Sequence, residues 1–395
     1  MTTPEHRRIV VAGGGIAGLS AAIFAARAGF SPHVLEQAPA IREFGAGLQL
    51  TPNAGKALAA AGLEDEVAAA AFEPRHLTIL DAASGRELRQ LPLGRHFAER
   101  YGAPYRVVHR PALIAVLEKA VRASTDIALE LDTRVDAIAP HARGVTVMAA
   151  TGRAIREIVA GGLVGADGLR STVRQWLVGD GDPRPAGYVA WRGMADPDAF
   201  DDPRQKTGVC LWLSGAYHVV AYPLGPAGKV NIVAVTKDAW TGDDWNAPGD
   251  RTEITRRFEA APAPLRALIA AGAGWRRWSL ADRPPLARWG EGAVTLAGDA
   301  AHPALPFAGQ GAAMALEDAA VLGAALRQKG AIEPAFRAYE ARRRKRTRDV
   351  WALSRRNASI YHARGPLALA RDIGMNLLSP DTVLDRQWWV YDWRP

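Results

Sequence analysis

The stretch Ile9-Val10-Val11-Ala12-Gly13-Gly14-Gly15-Ile16-Ala17-Gly18-Leu19-Ser20 decides the fold. Four apolar residues lead into a glycine cluster, and a run rich in Ala, Leu and Ile follows until Gly29 stops it. This order predicts a short buried strand over 9–12, a turn, and a helix over 16–28. Pro32-His33-Val34-Leu35-Glu36 reads as a second strand ending in an acid, so the first 36 residues form a β-turn-α-β unit. Each glycine of Gly13-x-Gly15-x-x-Gly18 has a physical task. Gly13 makes the tight turn, Gly15 lets the backbone approach a pyrophosphate, and Gly18 lets helix and strand pack closely. The helix N-terminus offers free N–H groups to phosphates, and Glu36 stands where it can accept hydrogen bonds from an adenosine ribose. The unit therefore reads as dinucleotide-binding; a purely structural Gly-rich turn is the alternative.

The same run holds a decoy. Arg7-Arg8 precedes eighteen uncharged residues, 9–26, the outline of a signal peptide or short membrane span. Four glycines in its middle argue against both, and no other stretch is long and apolar enough to span a bilayer. The expectation is a soluble, cytoplasmic protein with no membrane partner.

The chain has 395 residues, 48% hydrophobic and 23% charged, which is an ordinary globular composition with room for two or three domains. Its one cysteine, Cys210, excludes an internal disulfide framework and a Cys-rich zinc site, and the nine histidines are scattered, so no metal site is expected. The formal net charge is +8. The dense basic run, Arg342-Arg343-Arg344-Lys345-Arg346 and on to Arg348, lies inside a helical pattern and reads as a solvated helix face, with no nucleic-acid motif around it. The positive charge also favours anions such as a nicotinamide dinucleotide or an aromatic acid.

Further along, 76–91 reads as a hairpin turning at Ser84-Gly85, 111–123 as a helix with Pro near its start, 127–160 as a small meander, and 163–166 as another buried strand. Tryptophan becomes dense between 186 and 290, where 209–213, 217–224 and 230–236 read as strands of an inserted antiparallel sheet. A buried strand returns at 293–297, followed by helices over about 311–326 and 334–361.

Two later motifs make the chain recognisable. Gly165-Ala166-Asp167-Gly168-Leu169-Arg170-Ser171 and Leu296-Ala297-Gly298-Asp299-Ala300-Ala301-His302-Pro303 follow the glycine fingerprint in order. The second runs on through Gly309-Gln310-Gly311 to Glu317-Asp318-Ala319. Over nearly its whole length the chain resembles the class A flavoprotein monooxygenases, the para-hydroxybenzoate hydroxylase fold family. The resemblance implies an α/β (α+β) fold: a Rossmann-like FAD-binding domain with an inserted antiparallel-sheet substrate domain and C-terminal helices. The corresponding divisions are 1–75, 100–185 and 281–332 for FAD, 76–99 and 186–280 for the substrate sheet, and 333–395 for the helical region.

It also implies FAD as cofactor, with NADH or NADPH as a transient reductant that needs no second fingerprint. Asp299 would hydrogen-bond the ribityl chain or pyrophosphate region, and Gly311 and Ala312 would present N–H groups to the flavin ring. Asp167 would serve FAD and NAD(P)H together; a turn or helix-cap role is its alternative. Arg110, within Val108-His109-Arg110-Pro111, matches an FAD-contacting arginine, and Val135 an adenine-binding position. Ala17, Gln37 and Gln49 complete the cofactor set, Gln49 also standing at the pocket edge.

In Tyr217-His218-Val219-Val220-Ala221-Tyr222-Pro223, strand alternation puts His218, Val220 and Tyr222 on one face. A structural His and Tyr is the plain reading. The His/Tyr spacing followed by Pro resembles the subgroup of salicylate hydroxylase, 3-hydroxybenzoate 6-hydroxylase and 6-hydroxynicotinate 3-monooxygenase, as do Gly45-Ala46-Gly47-Leu48-Gln49, Gln310 and Trp388-Trp389-Val390-Tyr391-Asp392. That resemblance implies hydroxylation of an activated aromatic ring by a flavin C4a-hydroperoxide formed from O2. His218 would act as base or proton-relay member, Tyr222 would orient the ring, and Gln310 would supply a polar contact beside the flavin. Cys210 is a candidate pocket-lining residue or a buried structural thiol, and the Trp-rich sheet is expected to exclude water. The assembly expected is a monomer or homodimer. The rival readings are a family member acting on an alkene or a purine, a flavoprotein dehydrogenase, and a dinucleotide sensor without turnover.

Overall fold

The computed structural model describes residues 5–41, 47–225, 228–240 and 247–395. The opening unit forms as its sequence dictates: strand Arg8–Ala12, helix Ile16–Arg27, strand Ser31–Leu35, the two strands parallel. They belong to a six-stranded sheet, which runs Gly290–Glu291, Val294–Leu296, Gly162–Gly165, Arg8–Ala12, Ser31–Leu35, Ala128–Glu130. All its pairings are parallel except the short edge pair Gly290–Glu291 with Val294–Leu296. Ile9, Val10 and Val11 are wholly buried, as strands of a covered parallel sheet must be. Helices Ile16–Arg27, Arg110–Ala123 and Gly311–Lys329 share its core, and the antiparallel meander Arg134–His141, Gly144–Thr151, Ala154–Ala160 packs into it through Val145 and Val147.

The second sheet has eight strands, in the order Ala247–Pro248, Ala273–Asp282, Arg184–Ala195, Lys229–Lys237, Tyr217–Leu224, Val209–Leu213, His76–Asp81, Glu87–Pro92. The hairpin expected over 76–91 is its edge. One pairing corrects the expectation of an antiparallel sheet: Val209–Leu213 and His76–Asp81 run parallel. These strands come from distant parts of the chain, so no short turn forces them to oppose.

Register assigns the two faces of this sheet. Leu213, His218, Val235, Ala190 and Trp278 form one row; Leu211, Val220, Val233 and Arg192 the next; then Tyr222, Asn231 and Met194. Residues of the other parity, Trp191, Trp212, Cys210, Val219 and Ala221, point to the opposite side, where they pack with Trp275 against helices Arg251–Arg257 and Ala263–Ala271. This corrects one expectation and decides between the two readings of Cys210 in favour of a buried structural thiol. Most of the tryptophans cement the outer helices rather than sealing a pocket. Cys210 is buried on that outer face, its thiol pushed up to about 12 by burial.

Helix Ile332–Tyr361 crosses behind helix Gly311–Lys329 and corrects the reading of the basic run. Arg342, Arg344, Lys345 and Arg348 are exposed, but Arg343 is 1% exposed and Arg346 turns inward. The period of a helix separates them, since one face of Ile332–Tyr361 meets water and the other meets two buried carboxylates. Arg343 binds Glu317 through Nη1 and Asp318 through Nε at 2.7 Å, and Arg346 grips both Glu317 oxygens at 2.6 Å. Among the described residues no helix is long and apolar enough to cross a membrane.

Removing one partner of a fully buried ion pair strands the other charge, at a cost of about 3–5 kcal/mol. Arg343→Met is therefore expected to lower stability by that order in denaturant unfolding. Arg342→Ala, on the wet face of the same run, is expected to stay within about 0.5 kcal/mol of the parent.

Candidate active site

The glycine turn shows why only glycine serves at two of its positions. Gly13 has φ +103°, and a Cβ there would meet the Ala166 carbonyl oxygen at 2.5 Å; at Gly18 it would meet the Gly13 oxygen at 1.9 Å. Gly15 differs, because a Cβ there meets nothing within 4 Å. Open space lies over the N-terminus of helix Ile16–Arg27, as a pyrophosphate requires. Glu36 reaches back over the turn: Gly14 N–H donates to its Oε2 at 2.6 Å and Ala38 N–H to its Oε1 at 2.8 Å. Thr133 N–H donates to the Glu36 carbonyl, which brings the strand carrying Val135 beside this end of the cleft. Gln37 is exposed next to it.

The two later motifs close on the same turn. Gly298 adopts φ +60°, and a Cβ there would lie 2.6 Å from the Ala17 Cβ, so Asp299 is delivered to the start of the first helix, exposed to the cleft. Asp299 also partly offsets the burial that lowers the Arg110 pKa, which places that arginine's charge near its carboxylate. Asp167 behaves as a helix cap. It accepts from Ser171 Oγ at 2.5 Å and from Val173 N–H at 3.2 Å, and burial raises its pKa. Ser171 in turn caps helix Thr172–Val178 by accepting from Arg174 N–H. Arg174, which sequence reasoning missed, donates to the carbonyls of Ala300 and Ala301 at 3.0 and 3.2 Å and pairs with Asp180. It bolts one motif to the other.

Glu317 and Asp318 organise the third edge. Asp318 accepts from Gly298 N–H at 2.9 Å and contacts His302 Nε2 at 2.5 Å; Arg343 and His302 hold its carboxyl below the usual range despite its burial. Glu317 accepts from Asn53 Nδ2 at 2.7 Å, and Asn53 also donates to Gln310 Oε1 at 2.9 Å. Gln310 donates onward to Thr51 Oγ1 at 3.0 Å. Gln310 thereby ties the turn before Gly311 to Thr51 and Asn53, and it lines the small cavity beside Asp299 and Gly311. Gly311 is exposed and Ala312 half-buried at the start of the 19-residue helix, and Gln310 provides no side-chain cap. Their N–H groups and the positive helix end therefore face the cleft. Open glycines at 15 and 311, an exposed Asp299 and a ribose-height Glu36 together fit an FAD molecule laid along this cleft.

The segment before Gly311 meets the inner face of the eight-stranded sheet through Phe307, which packs on His218. His218 is 3% exposed, packed edge-on against Phe307 and Tyr361 at 5.1 and 5.2 Å, and burial drives its pKa well below 6.5. Its Nδ1 lies 3.1 Å from Nε2 of His362, a residue that sequence reasoning missed. Tyr222 is buried, and burial raises its pKa, so it stays a hydroxyl donor. Its ring lies against Gly47, where a Cβ would come within 2.4 Å of it, and Gly47 N–H donates to Asn231 Oδ1 at 2.8 Å. Gln49 accepts from Tyr105 Oη at 2.8 Å and sits under Gly309 at the pocket edge. Gly45 and Ala46 lie outside the described residues.

Arg192, a third missed residue, shares the His218–Tyr222 face. Its guanidinium stacks 3.5 Å over the Trp278 ring, and its Nε is buried without a hydrogen-bond partner. Burial, and secondly the charge of Arg110, depress its pKa to about 9. No carboxylate among the described residues neutralises it. Arg192 and His362 could not be read in sequence, because sheet register brings in the first and a 144-residue separation lies between the second and His218.

The family follows from comparison with known proteins. The model of the FAD binding domain matches residues 7–354. The chain belongs to that family. It is 37% identical over 392 residues to a 3-hydroxybenzoate 6-hydroxylase of Polaromonas naphthalenivorans (strain CJ2), covering 99% of this chain and 97% of that one. It is 35% identical to a 6-hydroxynicotinate 3-monooxygenase of Bordetella bronchiseptica, covering 91% and 93%. Among solved structures, HpxO of Klebsiella pneumoniae complexed with FAD and uric acid superposes with a TM-score of 0.86 at 28% identity, covering 97% and 96%. The chain is an FAD-dependent monooxygenase by this membership.

Two outcomes test the geometry. Gly47→Ala is expected to displace the Tyr222 ring and weaken substrate binding several-fold with FAD content unchanged, read by ligand titration of the FAD-loaded protein. His218 and His362 are held neutral when folded, whereas unfolded histidines take a proton near pH 6.5. Below that pH the unfolded chain binds more protons, so stability falls as pH drops from about 6.5 toward 4. Melting curves across that window are expected to show this fall, with a shallower slope in His362→Gln.

Proposed function

We propose that the chain hydroxylates an aromatic ring bearing a phenolic hydroxyl and a carboxylate, a 3-hydroxybenzoate-like or hydroxynicotinate-like acid. FAD is the resident cofactor, NADH or NADPH the reductant and O2 the oxygen donor. One observation carries this reading: a neutral imidazole, a protonated phenol and a guanidinium that no described carboxylate neutralises share one face of the sheet, on which Phe307 packs. The near full-length similarity to aromatic acid hydroxylases supports it.

Bound FAD, once reduced, supplies an electrophilic oxygen atom from O2. Gly13, Gly15, Ala17 and Gly18 would take its pyrophosphate, Glu36 and Gln37 its ribose, and Val135 its adenine. Asp299 and Arg110 would hold the linker, Gly311 and Ala312 the ring and Gln49 the ring edge, and Asp167 would serve FAD and NAD(P)H together. The FAD domain is built from 1–75, 100–185 and 281–332, and the substrate domain from 76–99 and 186–280; residues 333–395 form a helical buttress.

His218 accepts the phenolic proton, which pushes electron density onto the ring carbons ortho and para to that oxygen. Tyr222 donates a hydrogen bond that orients the ring. Arg192 grips the carboxylate, an ion pair strengthened by burial. Phe307 and Val220 keep the face dry, and Gln310 holds the turn before Gly311. With the hydroxyl at His218 and the acid at Arg192, attack para to the hydroxyl gives a 2,5-dihydroxy acid from 3-hydroxybenzoate. The protein works in the cytoplasm, as a monomer or homodimer.

The test is NADH and NADPH oxidation in air by the FAD-loaded protein, with product mass, across 3-hydroxybenzoate, salicylate, 6-hydroxynicotinate, simple phenols and uric acid. An acid that accelerates oxidation and gains one oxygen atom is the expected result; acceleration by uric acid alone would replace the reading with purine oxidation. Arg192→Met is expected to raise KM for acids by about tenfold or more, as loss of a buried charge partner does, and to leave neutral phenols unchanged.

A further inference from the structure

We propose that His362 is the second ring of a two-imidazole relay: it fixes which nitrogen of His218 faces the substrate, and it holds the abstracted proton during the reaction. This rests on the reading of His218 as the base.

Hydrogen-bond logic carries the first half. His362 Nδ1 lies 2.9 Å from the carbonyl oxygen of Ala358, which can only accept, so Nδ1 carries the hydrogen. A neutral ring protonated there leaves Nε2 as a lone pair. That lone pair lies 3.1 Å from His218 Nδ1, so His218 donates and bears its own hydrogen on Nδ1. His218 Nε2 is then an unprotonated acceptor on the ring edge turned away from His362, with no partner among the described residues. An imidazole left to itself favours neither role so firmly; here the tautomer a base needs is built in.

Placement carries the second half. His362 caps the C-terminal end of helix Ile332–Tyr361, where the helix carbonyls favour a cation. Tyr188 stacks on it at 4.9 Å and Phe307 lies edge-on at 6.0 Å. Burial lowers its pKa to about 4, with the charges of Lys237 and Arg364 adding to that. Both of those residues are exposed. His362 is therefore empty at rest and positioned one ring further from the substrate. As the phenolic O–H bond breaks, its proton bonds to His218 Nε2 while the Nδ1 proton of His218 moves to His362 Nε2. When the hydroxylated ring regains aromaticity, the ring proton departs to solvent and the stored proton returns to the oxygen by the same two steps. The relay itself moves protons only; the oxygen atom comes from O2 through the reduced cofactor, as in the proposed reaction.

The first measurement needs no turnover. Imidazole-15N NMR of the FAD-loaded protein is expected to show both rings as Nδ1–H tautomers at pH 7, and His218 shifting toward Nε2–H in His362→Leu. His218 already Nε2–H in the parent, or unmoved in His362→Leu, overturns the proposal. The second measurement uses 3-hydroxybenzoate. His362→Gln keeps an oxygen to accept from His218 Nδ1 but cannot take the proton; its resting tautomer and KM are expected to stay, with kcat down about tenfold or more. Unchanged kcat in that variant overturns the storage role. His218→Asn run alongside separates the two failures: full activity there removes the base reading, whereas lost activity there with intact His362 variants removes the relay alone.

Discussion

Everything at the flavin end of this molecule hangs on two adjacent buried carboxylates. Glu317 and Asp318 sit in the second turn of helix Gly311–Lys329 with no access to water, and each is shared among several donors. Desolvating two acids side by side is unfavourable by many kcal/mol unless cations and N–H groups surround them. Arg343, Arg346, His302, Asn53 and the Gly298 amide do so, and they come from three separate pieces of the cleft: helix Ile332–Tyr361, the Gly298–His302 loop and the Thr51–Asn53 turn. The charge pair thus locates the Asp299 loop, the Thr51–Asn53 turn and the long helix relative to one another. Such a network specifies geometry more than it adds stability, which suits a site that must present backbone amides at fixed height.

How much of this was legible in the sequence depends on how local each constraint is. The first strand, turn and helix are written in consecutive residues, because the glycines at 13 and 18 answer to contacts within that unit or one neighbouring strand. The GADG and GDAAH segments were visible as motifs, but their joining was not: Arg174 reaches Ala300 across 126 residues and looks like any helical arginine. Arg343 and Arg346 were hidden by their neighbours, since a run of six basic residues conceals which two have turned inward.

The substrate sheet makes the same point through parity. Strand alternation correctly put His218, Val220 and Tyr222 together, because that needs one strand only. Which face Trp191, Cys210 or Arg192 shares required the register of strands 40 residues apart, and there composition misled: tryptophan density marked the outer packing layer, while a lone arginine in a Trp-Arg-Gly stretch marked the inner one. The parallel pairing of 209–213 with the early hairpin was likewise beyond local reading.

Arg346 has one further set of bonds. Besides Glu317, its Nη1 donates to the Trp389 carbonyl and its Nη2 to the Val390 carbonyl, each at 2.8 Å. Those carbonyls lie 43 and 44 residues beyond the arginine itself, so the charge network behind Gly311 is completed only when segments distant along the chain have met. Closing a long loop costs entropy before any contact repays it. The opening strand, turn and helix are consecutive in the chain and carry no such requirement, so the two ends of the cleft differ in how much of the fold must be in place before each takes shape.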